Sequence, residues 1–390
     1  MSLWTRALDQ PKSIPARGWL FQIHLWMGLI VGLYAVAIGV TGSILMFHEE
    51  LLDRVVHGAE HVQPAGAPRP IEDWAATVRQ VTGHKGGVNI TLPESPSHAA
   101  RAMIYNNTGM QMVMVNPYDA SVLRHYRHRG TFLQLTEQFH SNFFLARTGR
   151  VLNGFGGLSL VLLAITGLLI WWPGRKRWTR LTQIDFRASW KRINWDLHHS
   201  IGFWTWAGFV LISFTGVYFT WPQSFRSAIG SVAPLSAPPK PVRITPQGER
   251  RPIVDLLQTA AATLPDLRTV AVEVPANPRE PLRVIKHGDG PRRYRTQSTV
   301  FVDPYRGDVL RVDDVRAKTT GDVLLSWVPA LHAGSFGGMP IKVIYALLGL
   351  VFPLLFITGF VMWWLRVVRK QILNYEAARE ATNVKASSLV

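Results

Sequence analysis

The chain has 390 residues, 47% of them hydrophobic and only 17% charged, against about 25% charged in an ordinary soluble domain. The apolar content excludes a disordered chain, and the absence of Cys excludes a disulfide scaffold, a thiolate metal site and a haem attached through C-x-x-C-H. The formal charge of +17 would suit nucleic acid, but its placement along the chain points to a membrane.

The leader, residues 1–18, carries Arg6, Lys12 and Arg17. Residues 19–47 form a run whose one ionisable interior group is His24, longer than the ~20 residues that cross a bilayer. It is too long for a signal peptide and lacks a small-residue cleavage site. Residues 48–150 are polar and contain a helix-like stretch at 71–82 and a strand, Pro turn and strand at 113–123. A second apolar span covers 151–172 and stops at Pro173. The segment 173–194 carries Arg175, Lys176, Arg177, Arg180, Arg187, Lys191 and Arg192. A third span, 195–221, stops at Pro222. Residues 222–340 repeat the polar pattern, with a stiff Pro-rich linker at 234–241, a helix at 253–264 and a strand–turn–strand at 300–310. The fourth span is 341–365, and the tail 366–390 opens with Arg366, Arg369 and Lys370. By the positive-inside rule the leader, the 173–194 segment and the tail are cytoplasmic, and the two long polar segments lie outside.

The order span, outside α+β segment, span occurs twice, as an internal duplication would give. His24-x-x-x-Gly28 with Thr41-Gly42 matches His198-x-x-x-Gly202 with Thr215-Gly216. His140 with Thr166-Gly167 matches His332 with Thr358-Gly359. The His-to-Thr separation is the same within each match. Two copies in one orientation predict a pseudo-two-fold axis along the membrane normal, with equivalent residues facing each other across it. The expected fold is therefore an internally duplicated α-helical membrane protein of four spans, with two α+β modules outside.

A histidine in or beside a span is costly and is a functional candidate. Symmetry predicts His24 with His198 at the cytoplasmic surface and His140 with His332 at the outer one. With no Cys, and no carboxylate inside the spans beyond Asp196 at the edge of the third, zinc and a non-haem iron triad are poorly served; two imidazoles as axial ligands of a haem fit better. A haem near each surface of a ~30 Å core makes an electron ladder from a cytoplasmic or quinol donor to an acceptor outside. His199 points about 100° away from His198 on a helix and is a secondary candidate. His48 ends the first span but has Pro222 as its counterpart. Arg147 and Arg150 are candidates for pairing with haem propionates. The Thr-Gly pairs read as helix packing and bending. His57, His61, His84, His98, His125, His128 and His287 read as surface residues. The basic cluster Arg292-Arg293-Tyr294-Arg295 reads as a solvated turn or a headgroup contact.

These motifs together resemble the PepSY-associated transmembrane-helix family, which includes bacterial iron-regulated inner-membrane proteins and ferric-siderophore reductases of the ferrioxamine-reductase type. The residues that carry the resemblance are His24-Leu-Trp-Met-Gly28 with Thr41-Gly42, His140 with Gly149-Arg150 and the 166–173 segment, Asp196-Leu-His198-His-Ser-Ile-Gly202, and His332-Ala-Gly334 with Gly337-Gly338. The resemblance extends over residues 17 to 370. It implies PepSY-like outside modules and, in the members that act as reductases, b-type haem. Joined to the histidine pairs and the charge map, the leading expectation is a di-haem b reductase of the bacterial inner membrane with both termini cytoplasmic and a ferric siderophore as periplasmic acceptor, docking near the outer haem between the two modules. No nucleotide-binding motif follows a strand, so electrons are expected from another protein or from quinol. Two other readings compete: a PepSY-type peptide-binding or regulatory membrane protein without cofactor, and a transporter, for which four spans are few and no midplane carboxylate is present.

Overall fold

The computed structural model describes residues 8–106, 109–175, 178–288, 297–372 and 374–376; Arg6, Lys176, Arg177 and the cluster Arg292-Arg293-Tyr294-Arg295 lie outside them. In chain order the main elements are α1 (Ala16–Leu45), α2 (His48–Val56) and α3 (Ile71–Thr82), then β1 (Val88–Thr91), β2 (Ala100–Asn106), β3 (Gly109–Val115) and β4 (Val122–Arg127). Helices α4 (Phe132–Asn142), α5 (Ala146–Trp171), α6 (Trp190–Thr220), α7 (Pro222–Gly230) and α8 (Ile253–Thr263) follow. Strands β5 (Arg268–Val274), β6 (Leu282–His287), β7 (Gln297–Val302) and β8 (Val309–Asp313) lead to α9 (Thr320–His332) and α10 (Gly338–Trp363), which a π-helical turn continues over Trp364–Val368. The chain divides into two compact units, one holding the four long helices and the other the sheet.

Helices α1, α5, α6 and α10 are each long and apolar enough to cross a membrane. They begin several residues before the uncharged runs do, because a first helical turn needs only backbone geometry and tolerates polar side chains at a membrane surface. Helix α1 packs against α5 and α10, and α6 packs against the same two. Small residues permit the closest approach. A Cβ on Gly39 would meet the Gly349 carbonyl, and Ser43 Oγ donates to Ala346 O at 2.7 Å. Large apolar side chains such as Ile30, Leu33, Ile357 and Leu347 remain more than half exposed. A surface of that kind is tolerable against lipid and not against water. Arg17 ties the end of α5 to α1 by donating to the carbonyls of Leu169, Ile170 and Trp172, which otherwise lack helical partners.

The second unit is one antiparallel sheet in the order β4-β3-β2-β1-β5-β6-β7-β8. The two outside segments were expected as separate modules; their strands instead join through β1 and β5, with Val88 opposite Val274 and Ile90 opposite Val272. Each half supplies a helix and a four-strand meander. One face buries Val88, Ile90, Val113, Val115, Val272 and Val300 against Trp74 and Val78 of α3 and Leu256 and Ala260 of α8. The period-two alternation of side chains accounts for this pattern. In β3 the alternate residues Met112 and Met114 are buried too, on the opposite face with Leu52 and Leu133. Strand β3 is thus covered on both faces, and its residues 112–115 read as a continuous apolar run.

The turns after β3 and β7 are matched. Asn116 and Asp303 each accept from the backbone N–H two residues on, at 3.0 and 2.8 Å, the local bond that favours Asx residues in turns. The preceding loops dock on the prolines, with Arg69 N to Pro117 O and Arg251 N to Pro304 O both at 2.7 Å. At equivalent places Ala120 has φ of 59° and Gly307 has φ of 84°. The left-handed region costs a residue with a Cβ about 1–2 kcal/mol, against the roughly 0.4–1 kcal/mol that a glycine adds to the entropy of the unfolded chain. Ala120→Gly should therefore raise the stability of the sheet unit by roughly 0.5–1 kcal/mol, seen as a higher unfolding midpoint in detergent.

Asp322, in the first turn of α9, gathers the linker. It accepts from Ser236 N at 3.0 Å and from the Thr319 hydroxyl at 2.7 Å, and it lies 3.6 Å from Arg226. Burial acts to raise this carboxyl; the Ser236 and Thr319 hydrogen bonds and the Arg226 charge outweigh it and hold the pKa at about 2, below the ordinary 3.8. A depressed carboxylate stabilises the fold fully above about pH 4 and loses that contribution as pH falls toward 2, roughly 2 kcal/mol in all. Asp322→Asn should flatten that acid limb in a pH series of thermal unfolding curves and lower stability at pH 7.

Candidate cofactor site

Four histidines are held in the same manner within the helical unit. His24 Nδ1 lies 3.1 Å from Thr166 Oγ1, His140 Nδ1 3.0 Å from Thr41 Oγ1, His198 Nδ1 3.0 Å from Thr358 Oγ1, and His332 Nδ1 3.3 Å from Thr215 Oγ1. Each threonine sits inside a spanning helix with its hydroxyl 2.7–2.8 Å from the carbonyl four residues earlier. A carbonyl only accepts, so the hydroxyl proton goes there and the hydroxyl oxygen must accept from the imidazole. His332 Nδ1 is also 3.0 Å from Ile212 O, which requires the same tautomer. In all four rings Nδ1 carries the proton and Nε2 keeps its lone pair. A metal-binding imidazole is arranged in this way, with its second nitrogen donating to a fixed acceptor.

The glycine after each threonine lets the ring pass. A Cβ on Gly42 would stand 3.0 Å from His140 Cε1; the same holds for Gly167 with His24, and Gly216 and Gly359 give 3.1 Å to His332 and His198. The Thr-Gly pairs, which in the sequence read as packing and bending, are therefore the seats of the histidines. Gly39 keeps its packing role. The sequence signal for the seats was present in the repeated His-to-Thr separations. The partners, however, lie on different helices, His24 of α1 with Thr166 of α5, His140 of α4 with Thr41 of α1, His198 of α6 with Thr358 of α10 and His332 of α9 with Thr215 of α6, and spacing along one chain does not reveal that.

The rings meet in two pairs. The centres of His24 and His198 are 6.5 Å apart, and those of His140 and His332 are 6.4 Å apart. A metal–imidazole nitrogen bond is about 2 Å, and the ring centre lies about 1 Å beyond the nitrogen, so two imidazoles on opposite sides of one metal have centres roughly 6 Å apart. Thr41, which seats His140, is seventeen residues along α1 from His24. At ~1.5 Å per residue this places the two pairs roughly 25 Å apart along the bundle.

A cavity of about 700 Å³ surrounds the first pair, within the ~300–1,000 Å³ of small-molecule sites. Its wall is mostly apolar, with Leu163, Phe209 and Phe352 among the lining residues. Gly28 and Gly202, one helical turn beyond His24 and His198, also line it. A Cβ on Gly28 would meet nothing within 4 Å, and one on Gly202 only Leu355 at 3.9 Å. The missing side chains leave a slot beside the two imidazoles. Gly32 differs, because the Phe356 ring occupies the place of its Cβ. The two paired imidazoles and the apolar cavity beside them are residues that could hold a haem through two histidines.

His199 lines the same cavity, but its Nδ1 bonds Trp195 O at 2.8 Å and its ring stacks on Trp195 at 3.8 Å; the ring paired with His24 is that of His198. His48 opens α2, and its ring lies 5.7 Å from that of His128. His128 is only 4% exposed, which corrects the surface reading: the sheet's second face is itself covered. His61 and His98 have ring centres 5.1 Å apart in an isolated β-bridge. Arg147 and Arg150 fall in the first turn of α5 with exposed side chains, and the Arg150 carbonyl accepts from Thr220.

The fold and site define a four-helix membrane-type bundle with two seated histidine pairs and a large antiparallel sheet unit. Within that class the chain belongs to the family described as the PepSY-associated TM region, whose model matches residues 21–366. It is also 31% identical over 134 residues to an uncharacterised protein of Pseudomonas aeruginosa. That match covers 31% of this chain and 31% of the relative.

Proposed function

We propose that the protein is a di-haem b oxidoreductase of the bacterial inner membrane, passing electrons outward to a periplasmic acceptor, most simply a ferric siderophore. The observation that carries this reading is the seating of four histidines in two pairs, each with Nδ1 spent on a threonine and Nε2 available. His24 and His198 would hold one haem and His140 and His332 the other. The bound groups would supply reversible one-electron chemistry at two depths of the membrane. The chain's own part is to hold the imidazoles in one tautomer, keep water from the cavity with apolar walls and set the separation of the two centres. Reduction converts a ferric chelate to a ferrous one by a single electron, and hard oxygen ligands hold ferrous iron less tightly. The electron comes from quinol or from a cytoplasmic protein.

The same reading takes the chain as an internal duplication with PepSY-like halves outside and both termini in the cytoplasm. The basic residues of 173–194 and 366–370 support that orientation. Purified protein should show sharp reduced α and β bands, and a pyridine haemochrome assay should give close to two b haems per chain. A folded protein that stays colourless after haem is supplied would remove this reading and leave the peptide-binding one.

A further inference from the structure

The cavity around His24 and His198 has two unlike ends. Toward Leu163 and Phe352 its wall is apolar. The charged side chains in its lining are Lys191 and Arg366, both cationic, and no acidic residue lines it among the described residues. Both cations lie at one end of the bundle. Lys191 is in the first turn of α6, and Arg366 lies in the turn that continues α10. The Arg366 guanidinium is placed 4.9 Å over the ring of Phe21, near the start of α1. The last residue of α5, Trp171, reaches the same end. It is 5% exposed and stacks on Phe203 at 4.1 Å, and its indole N–H is buried without an acceptor. A buried donor left unpaired is costly, and among the described residues nothing accepts from this one. A cation pair and an idle N–H at one end of an otherwise apolar slot call for a ligand with a flat apolar body and carboxylates along one edge.

We propose that Lys191, Arg366 and the Trp171 indole N–H form the carboxylate-binding end of this cavity and fix which way round its ligand sits. This rests on the haem reading above and adds the orientation: the propionate edge faces the basic end of the bundle, away from the apolar wall. Arg147 and Arg150, the propionate candidates read from the sequence, lie at the other end of α5 and have no place at this cavity.

The test is reconstitution of the full-length apoprotein carrying His140→Ala, so that one site reports. It is titrated with haem and with haem dimethyl ester, whose carboxylates are blocked, and followed by the Soret band. The expected result is at least tenfold tighter binding of haem than of the ester. In Lys191→Met/Arg366→Met the preference should vanish, while the ester binds as it does without those changes. Ester binding thus serves as the folding control. Trp171→Phe should cost several-fold for haem alone. Equal binding of haem and ester before the cations are replaced would overturn the inference and leave the haem reading intact, as would a preference that survives their replacement. Failure to bind either porphyrin would overturn both. An anionic lipid headgroup shares the carboxylate's charge, so the titration is repeated with phosphatidylglycerol in the micelles. Loss of the preference there would assign the cations to lipid and overturn the inference.

Discussion

Replacing His198 with alanine should reduce the haem content of the purified protein from about two to about one per chain, and His24→Ala should do the same. Each change leaves its partner imidazole seated on a threonine, Thr166 for His24 and Thr358 for His198, so the bundle keeps its packing while one axial ligand is lost. The surviving haem should be the one held by His140 and His332. His140→Ala and His332→Ala should remove that one instead, and the two losses should be distinguishable by their potentials in a redox titration. His199→Ala should retain both haems, because its Nδ1 is spent on Trp195 O and its ring is not the one paired with His24. Thr166→Val is the finer probe. It removes the acceptor of Nδ1–H and should weaken retention of one haem by ~10–100-fold, the usual cost of losing an outer-shell partner. Loss of both haems from any single histidine change, with folding preserved, would contradict two independent centres.

Much of this arrangement was legible in the chain. The four spans followed from uncharged length alone, and the histidine pairs came from matching residues across a repeat. The turns at Asn116-Pro117-Tyr118 and Asp303-Pro304-Tyr305 were readable because their chemistry is local. The joining of β1 to β5 was not. It pairs residues such as Ile90 and Val272, far apart in sequence, and β1 is only four residues long, too short to announce itself by alternation. The roles of Thr41, Thr166, Thr215 and Thr358 were hidden for a related reason. A threonine in an apolar helix ordinarily bonds back to its own carbonyls, and these four do so as well; their second contact depends on which helices are neighbours. The idle N–H of Trp171 was likewise invisible, since Trp171-Trp172 reads as an interfacial anchor.

The largest stability effect in the sheet unit is expected at Lys286. It is 1% exposed, on β6, and its Nζ donates to Ala260 O at 3.1 Å, Ala261 O at 3.3 Å and Leu264 O at 2.6 Å. Ala260 and Ala261 are in the last turn of α8 and Leu264 follows it, where the helix runs out of N–H groups and its dipole favours a cation; Leu264 O also accepts from Leu267 N at 3.2 Å. One ammonium with three donors thus caps three acceptors. Lys286→Met keeps the length of the side chain and deletes the donors, so the Ala260 and Ala261 carbonyls lose this partner while Leu264 O keeps Leu267 N. Hydrogen bonds involving a charged group are worth about 1.5–3 kcal/mol, so a loss of roughly 3 kcal/mol is expected, read as a lower denaturation midpoint. The pH dependence has a definite sign. Burial lowers the Lys286 pKa below the ordinary 10.5, with Asp266 acting weakly against it. Between the lowered value and 10.5 the unfolded chain therefore binds a proton that the folded chain has released, and stability from this group rises with pH across that window. Below it, the charged ammonium carries a constant desolvation cost that the three carbonyls offset. Lys286→Met should abolish the alkaline rise as well as lower the baseline. A variant that loses stability but keeps the rise would place the titration on another group and leave Lys286 as a cap alone.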